Sequence, residues 1–216
     1  MSPRARTGKA PAPPLRLRYH GPKDAPRLLL AHGAGAGMDS DFMSDVATGL
    51  AARGVRVARF EFAYMARRRS GQRPGPDRLP LLCERFRAAV ARLGDPGELV
   101  IGGKSMGGRI ASMLADELGV RGLLCLGYPF HPPGRPEQTR TEHLAGLRTP
   151  CRIIQGTRDP FGTRQEVAGY ALSSRIELTW IEDGDHDLTP RRRHGFDPVA
   201  AREQLLVAAA SFVRGL

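Results

Sequence analysis

Apolar residues along this chain fall into short runs and short periodic stretches that alternate with one another. "LRLRYH" (15–20) switches between apolar and polar at every step and "VRVARFEF" (55–62) alternates apart from Val57–Ala58, which predicts strands, the first at a sheet edge. "RLLLA" (27–31), "LVI" (99–101), "VRGLLCLGYP" (120–129), "CRIIQGTRD" (151–159) and "RIELTWIED" (175–183) predict further strands. Between them, apolar residues recur at helical spacing in "DFMSDVATGLAARG" (41–54), with Gly54 as its C-cap, and in "LPLLCERFRAAVARLG" (79–94). "MGGRIASMLADELG" (106–119), "RQEVAGYAL" (164–172) and "PVAAREQLLVAAASFVRGL" (198–216) complete the predicted helices. A polar, basic loop is expected from the end of "FEF" to about Gly75, and a Pro- and His-rich loop over 130–147. Strand and helix alternate throughout. That pattern implies an α/β fold, a mostly parallel sheet with helices on both faces.

Residues 1–14, rich in Pro and Arg and poor in bulky apolar side chains, are expected to be a disordered arm, leaving 15–216 as one domain. No apolar run approaches a membrane span and none near Met1 resembles a signal-peptide core, so a membrane partner is not expected. Three cysteines, Cys83, Cys125 and Cys151, lie far apart among apolar residues without metal-ligand spacing, which fits buried reduced thiols and a cytoplasmic setting. The formal net charge of +11 invites a nucleic-acid reading. Yet only Lys9, Lys23 and Lys104 are lysines, and the arginines are scattered apart from 66–73 and 190–195, with no aromatic residues interleaved. Nucleic acid is therefore not the expected partner.

The chemistry concentrates in "LVIGGKSMGGRIAS" (99–112). "GKS" resembles the tail of a phosphate-binding loop, but that loop needs a glycine five residues before its Gly-Lys, where this chain has Glu98. The intervening residues are an apolar strand, which does not wrap a phosphate chain. The same letters satisfy G-x-S-x-G, a strand–turn–helix elbow presenting Ser105 between Gly103 and Gly107. With 26 glycines, about one chain in eight of this composition would carry such a pentapeptide by chance, so context decides.

In a parallel sheet, function collects where strands end at their carboxyl edge. Four predicted exits carry matching groups: the glycine-rich "HGAGAG" (32–37), then Ser105, then Asp159, then His186. The chain order Ser, Asp, His is that of an α/β-hydrolase. Ser105 is the expected nucleophile, His186 its base, and Asp159 the group that orients the imidazole. His32 belongs to the turn before the glycines, His131 and His143 precede the acid, and His194 sits in an arginine cluster. The oxyanion of an acyl-transfer intermediate needs two donors: the N–H of Met106, and that of Ala34 or Gly35, with Ala34 favoured. "DGDHD" lacks a second nearby histidine, so no metal is expected, and no cofactor either. Lys104 is expected in a structural salt bridge; the alternative is that, packed beside the nucleophile, it orients a loop carboxylate, Glu61 being one candidate. Tyr64 and the arginines Arg67 to Arg69 leave a strand whose exit should neighbour the elbow. They are candidates to line the mouth and receive an anionic substrate, against a bland reading as solvated surface.

Several blocks together are similar to a known group: "LLLAHGAGAGMDSDFM", "RFEFAYM", "GGKSMGGRIAS", "LGYPFHPPGRPEQTRTEHL", "QGTRDPFG" and "DGDHDL". Over roughly residues 15–215 the chain resembles a small α/β-hydrolase of the dienelactone-hydrolase-like kind, and more narrowly the branch of testis-expressed protein 30 homologues. The resemblance implies the triad Ser105, Asp159 and His186. Serine replaces the cysteine of dienelactone hydrolase proper, which argues against that named reaction. With little room for a lid after "GYP", an open site is expected. The expectation is a cofactor-free serine esterase or thioesterase acting on a small acyl substrate. The competing reading is a non-catalytic interaction module on the same scaffold.

Overall fold

In the computed structural model, residues 12–192 and 195–216 are described, and the apolar runs pair into a seven-stranded sheet. The strands are β1 (Leu17–His20), β2 (Arg27–Ala31), β3 (Arg56–Phe60), β4 (Leu99–Lys104), β5 (Gly122–Leu126), β6 (Cys151–Gly156) and β7 (Ile176–Ile181). Their spatial order is β1-β3-β2-β4-β5-β6-β7, with β1 antiparallel at one edge and every other pairing parallel. The helices are α1 (Asp41–Ala51), α2 (Ala63–Arg69), α3 (Leu79–Ala91), α4 (Met106–Leu118), α5 (Arg164–Val167) and α6 (Pro198–Gly215).

The inner strands are apolar on both faces because both are covered. Leu28, Leu30, Val100, Leu124 and Ile154 point into one core with α1 and α6. Their alternating neighbours Leu29, Ile101, Leu123 and Ile153 point into the other, with α3 and α4. Each such side chain, taken wholly out of water, contributes roughly 1.5–3 kcal/mol. Cys83, Cys125 and Cys151 are free and buried in the second of these cores.

Several boundaries differ from the sequence expectation. The residues after "FEF" are not all loop: seven of them form α2, which buries Tyr64, Met65 and Ala66 behind its arginines. α1 stops at Ala51, one turn short of Gly54, whose backbone is left-handed with φ 77°. Only Arg164–Val167 of the segment 164–172 is helical, started by a Thr163–Glu166 capping box. The connection from β5 to β6 carries one short helical turn, Glu142–Leu144, and no larger helical insertion. Of the expected arm, residues 1–11 lie outside the described residues, whereas the Pro13 and Pro14 carbonyls accept hydrogen bonds from Arg85.

Candidate active site

β4 lies at the middle of the sheet, and Ser105 follows its last residue. The backbone there reverses direction into α4 within one residue, at φ 51° and ψ −117° for Ser105. A non-glycine residue held in so rare a conformation needs over-determining surroundings, and strain of this kind clusters at reactive sites. Close packing supplies them. A Cβ on Gly103 would stand 2.5 Å from the Gly107 carbonyl carbon, and one on Gly107 would stand 2.6 Å from the Ala31 oxygen. The two glycines of the motif let α4 settle against β2 and β4.

The loop after β7 runs back over the exits of β6 and β5, brushing Gly156, where a Cβ would meet the Gly184 oxygen at 2.3 Å. It delivers His186 to Ser105, with Nε2 2.8 Å from the hydroxyl oxygen. On the other side of the ring, Nδ1 lies 2.8 Å from Oδ2 of Asp159, which is wholly buried. A carboxylate accepts and does not donate, so Nδ1 carries the proton and Nε2 is left to accept from Ser105. Asp159 is itself fixed, taking a 2.9 Å bond from the Phe161 N–H and another from Gln155 Nε2. Phe161 stacks on the His186 ring at 4.2 Å. The result is a continuous path by which a hydroxyl proton can move to an imidazole whose charge a carboxylate then balances.

His32 braces the glycine loop. Its Nε2 accepts the Phe62 N–H at 3.1 Å, so Nδ1 bears the proton and donates to the Gly33 oxygen at 2.7 Å. Burial pulls its pKa down to about 4, partly offset by backbone hydrogen bonds, so the ring is neutral at physiological pH. The folded form thus binds this proton less readily than the unfolded chain. The contribution is therefore complete above about pH 6.5 and is lost as pH falls toward 4, about 3 kcal/mol in all. Urea midpoints measured across that window are expected to drop less steeply in His32→Gln; an unaltered slope would assign the acid sensitivity elsewhere.

A cleft of about 340 Å³ opens above Ser105, lined by Gly33 to Ala36, Ser40, Phe42, Met43, Lys104, Phe161, His186 and Asp187. Lys104 is nearly buried, donating to the His186 carbonyl at 2.7 Å and pairing with Asp187 at 3.3 Å. Burial lowers its pKa, against the pull of Asp187. Glu61, the partner offered by the sequence, takes Arg69 instead.

Tyr64 and Arg67 are not among the lining residues, and this corrects the expectation that they meet substrate. The physical reason is strand order. β2 lies between β3 and β4, so the segment leaving β3 is a strand further from the elbow than chain order suggested. Tyr64 is fully buried, its hydroxyl 3.2 Å from the Gly33 oxygen and 3.0 Å from the Ala34 oxygen. Arg67 pairs with Asp77, Arg68 donates to the Pro74 carbonyl, and Arg69 reaches Glu61. Replacing all three by glutamine is expected to cost about 1 kcal/mol of stability. The kcat/KM values of a carboxylate-bearing ester and a neutral ester of equal size should change by the same factor. A selective loss with the anionic ester would restore these arginines to substrate binding.

Phe42, Met43, Phe161 and Gln155 were not singled out from the sequence. Only Gln155 carried a signal, as a polar residue at the end of the apolar run "CRII". His194 lies outside the described residues.

Residues 24–214 match the model of a family described as the alpha/beta hydrolase domain. Among solved structures, an alpha-beta serine hydrolase homologue from Coxiella burnetii superposes with a TM-score of 0.68 at 20% identity, over 90% of this chain and 91% of that one. A serine hydrolase without a lid from Xanthomonas campestris gives 0.65 at 19% identity, over 94% and 89%. A monoacylglycerol lipase from Paleococcus ferrophilus gives 0.69 at 12% identity, over 94% and 99%. At these identities the likeness is one of fold.

Proposed function

Since the chain belongs to the alpha/beta hydrolase domain family, we propose that it is a serine hydrolase cleaving small esters or thioesters through an acyl-enzyme. The observation that carries this reading is the hydrogen-bonded path from Ser105 through His186 to Asp159, both links 2.8 Å. In the proposed reaction Ser105 Oγ attacks the acyl carbonyl carbon while its proton passes to His186 Nε2. Asp159 stabilises the imidazolium that results. The carbonyl oxygen, now anionic, faces the N–H of Met106, which as the first residue of α4 has no intrahelical acceptor, and that of Ala34. The carbon–oxygen or carbon–sulfur bond then breaks, and His186 returns the proton to the leaving alcohol or thiol. Water, deprotonated by the same imidazole, releases the acid and restores Ser105. No cofactor enters this scheme.

The cleft supports small substrates. About 340 Å³ is near the low end of ligand sites, and Ala34, Ala36, Phe42, Met43 and Phe161 give it apolar walls. A neutral short acyl or aryl ester fits these walls better than an anionic one, because Lys104 is occupied by Asp187 and the His186 carbonyl. The motif blocks support the narrower placing among dienelactone-hydrolase-like enzymes of the testis-expressed protein 30 branch. Scattered arginines and buried thiols support a cytoplasmic enzyme without a nucleic-acid partner, and no helix among the described residues is long and apolar enough to cross a membrane. The test is hydrolysis of p-nitrophenyl esters of increasing acyl length, alongside labelling by a fluorophosphonate. Turnover highest with short chains is expected. A protein that neither labels nor hydrolyses any member would favour the non-catalytic reading.

A further inference from the structure

Three of the six residues in "HGAGAG" are glycine, and such a loop has little conformational preference of its own. For acyl transfer it must nevertheless present N–H groups, not carbonyl oxygens, to a developing negative charge. A peptide turned the wrong way would set a carbonyl against the oxyanion. Something outside the loop has to fix its orientation.

We propose that Tyr64 is the positioning residue for this oxyanion loop, holding the Gly33 and Ala34 carbonyls away from the cleft so that the Ala34 N–H faces it. This rests on the serine hydrolase reading above. The phenol oxygen lies within hydrogen-bond distance of both carbonyls, at 3.2 and 3.0 Å, and its single proton is shared between them. The Gly33 oxygen is held a second time, by His32 Nδ1 at 2.7 Å. The chain contains no cis peptide among its described residues, so each carbonyl points opposite to the N–H of the following residue. Fixing the Gly33 oxygen from behind therefore aims the Ala34 N–H forward, and the doubly held peptide is the better fixed of the two. That selects Ala34 over Gly35 as donor.

Tyr64 is suited to this work. It is wholly buried, and burial raises its pKa, so the hydroxyl is a protonated donor at neutral pH. Its own backbone N–H is tied to Asp77 at 2.9 Å, Asp77 in turn holds Arg67, and the Arg68 guanidinium lies 5.5 Å over the ring. The arginine cluster thus acts on the site indirectly, by fixing α2 and the ring it carries.

The experiment compares Tyr64→Phe with wild type on a short neutral ester, at a temperature where both are folded by circular dichroism. kcat is expected to fall about 10- to 100-fold with KM within about twofold, because a misplaced donor is missed mainly in the transition state. A trifluoromethyl ketone should report the same change. Ser105 adds to it, passing its proton to His186, and the hemiketal carries the oxyanion. Its inhibition constant is expected to rise by the factor lost in kcat/KM, which a general softening of the fold would not produce. Lactic acid incorporated in place of Ala34, exchanging that N–H for an ester oxygen, should lose at least as much. Wild-type kcat/KM in Tyr64→Phe, a loss confined to KM, or an active lactate variant would each overturn the positioning role while leaving the hydrolase reading intact. A wild type inert to both phosphonate and ester would overturn the hydrolase reading and this role with it.

Discussion

Ser105→Ala is expected to lose all fluorophosphonate labelling and to lower ester hydrolysis by about 10⁴- to 10⁶-fold, with little change in stability. The rate figure follows from removing the attacking atom of a unit whose members act together. The stability expectation follows from geometry. Ser105 is already held at φ 51° by the packing of Gly103 and Gly107, and alanine bears the same Cβ strain. What disappears is one 2.8 Å hydrogen bond to His186, at the floor of an open cleft where water can replace it. Intact-mass spectrometry after probe treatment, together with urea unfolding, reads both halves. A mutant that still labels would mean that the reactive hydroxyl is another one.

Asp159→Asn is expected to be nearly as damaging, about 10⁴-fold in kcat, although it changes one atom. Asp159 Oδ1 accepts the Phe161 N–H, and Oδ2 accepts from both Gln155 Nε2 and His186 Nδ1. Asparagine has a single acceptor oxygen. Where that oxygen keeps the Phe161 bond, its amide faces two donors, and His186 must adopt the tautomer with the proton on Nε2. An imidazole protonated there does not accept from Ser105. His186→Ala removes the base outright and should fall to a similar level. In the proposed mechanism the three side chains work as one device, so the double variant should lose little more than either single one. Full additivity, or activity that survives His186→Ala but not His194→Ala, would show the base to be misassigned.

What could be read from the sequence was set by strand ends. Ser105, Asp159 and His186 each follow an apolar run, and in a parallel sheet the ends of such runs share one edge. The elbow was legible because its glycines are demanded by contacts within five residues of chain and with one neighbouring strand. Tyr64 and Arg67 were misread because their neighbours depend on strand order, which is a property of the assembled sheet. Nothing in "FEFAYMARRR" says that β2 intervenes between β3 and β4. The same stretch hid α2, since its three terminal arginines outweigh the apolar turn before them in any reading of polarity. Phe42, Met43 and Phe161 were invisible for another reason: an apolar residue bound for a cleft wall has the same local pattern as one bound for the core.

Cys83, Cys125 and Cys151 are folded out of solvent, and burial pushes the Cys83 and Cys151 thiols above the ordinary range, so neither presents a thiolate at neutral pH. Thiol reactivity is thereby held down by the fold. Maleimides and iodoacetamide are expected to alkylate the folded protein only slowly, so a serine-directed warhead should need no prior blocking of sulfur. Uptake of a thiol reagent should then report opening of the elements that cover these thiols, α3 for Cys83 and the sheet for Cys125 and Cys151.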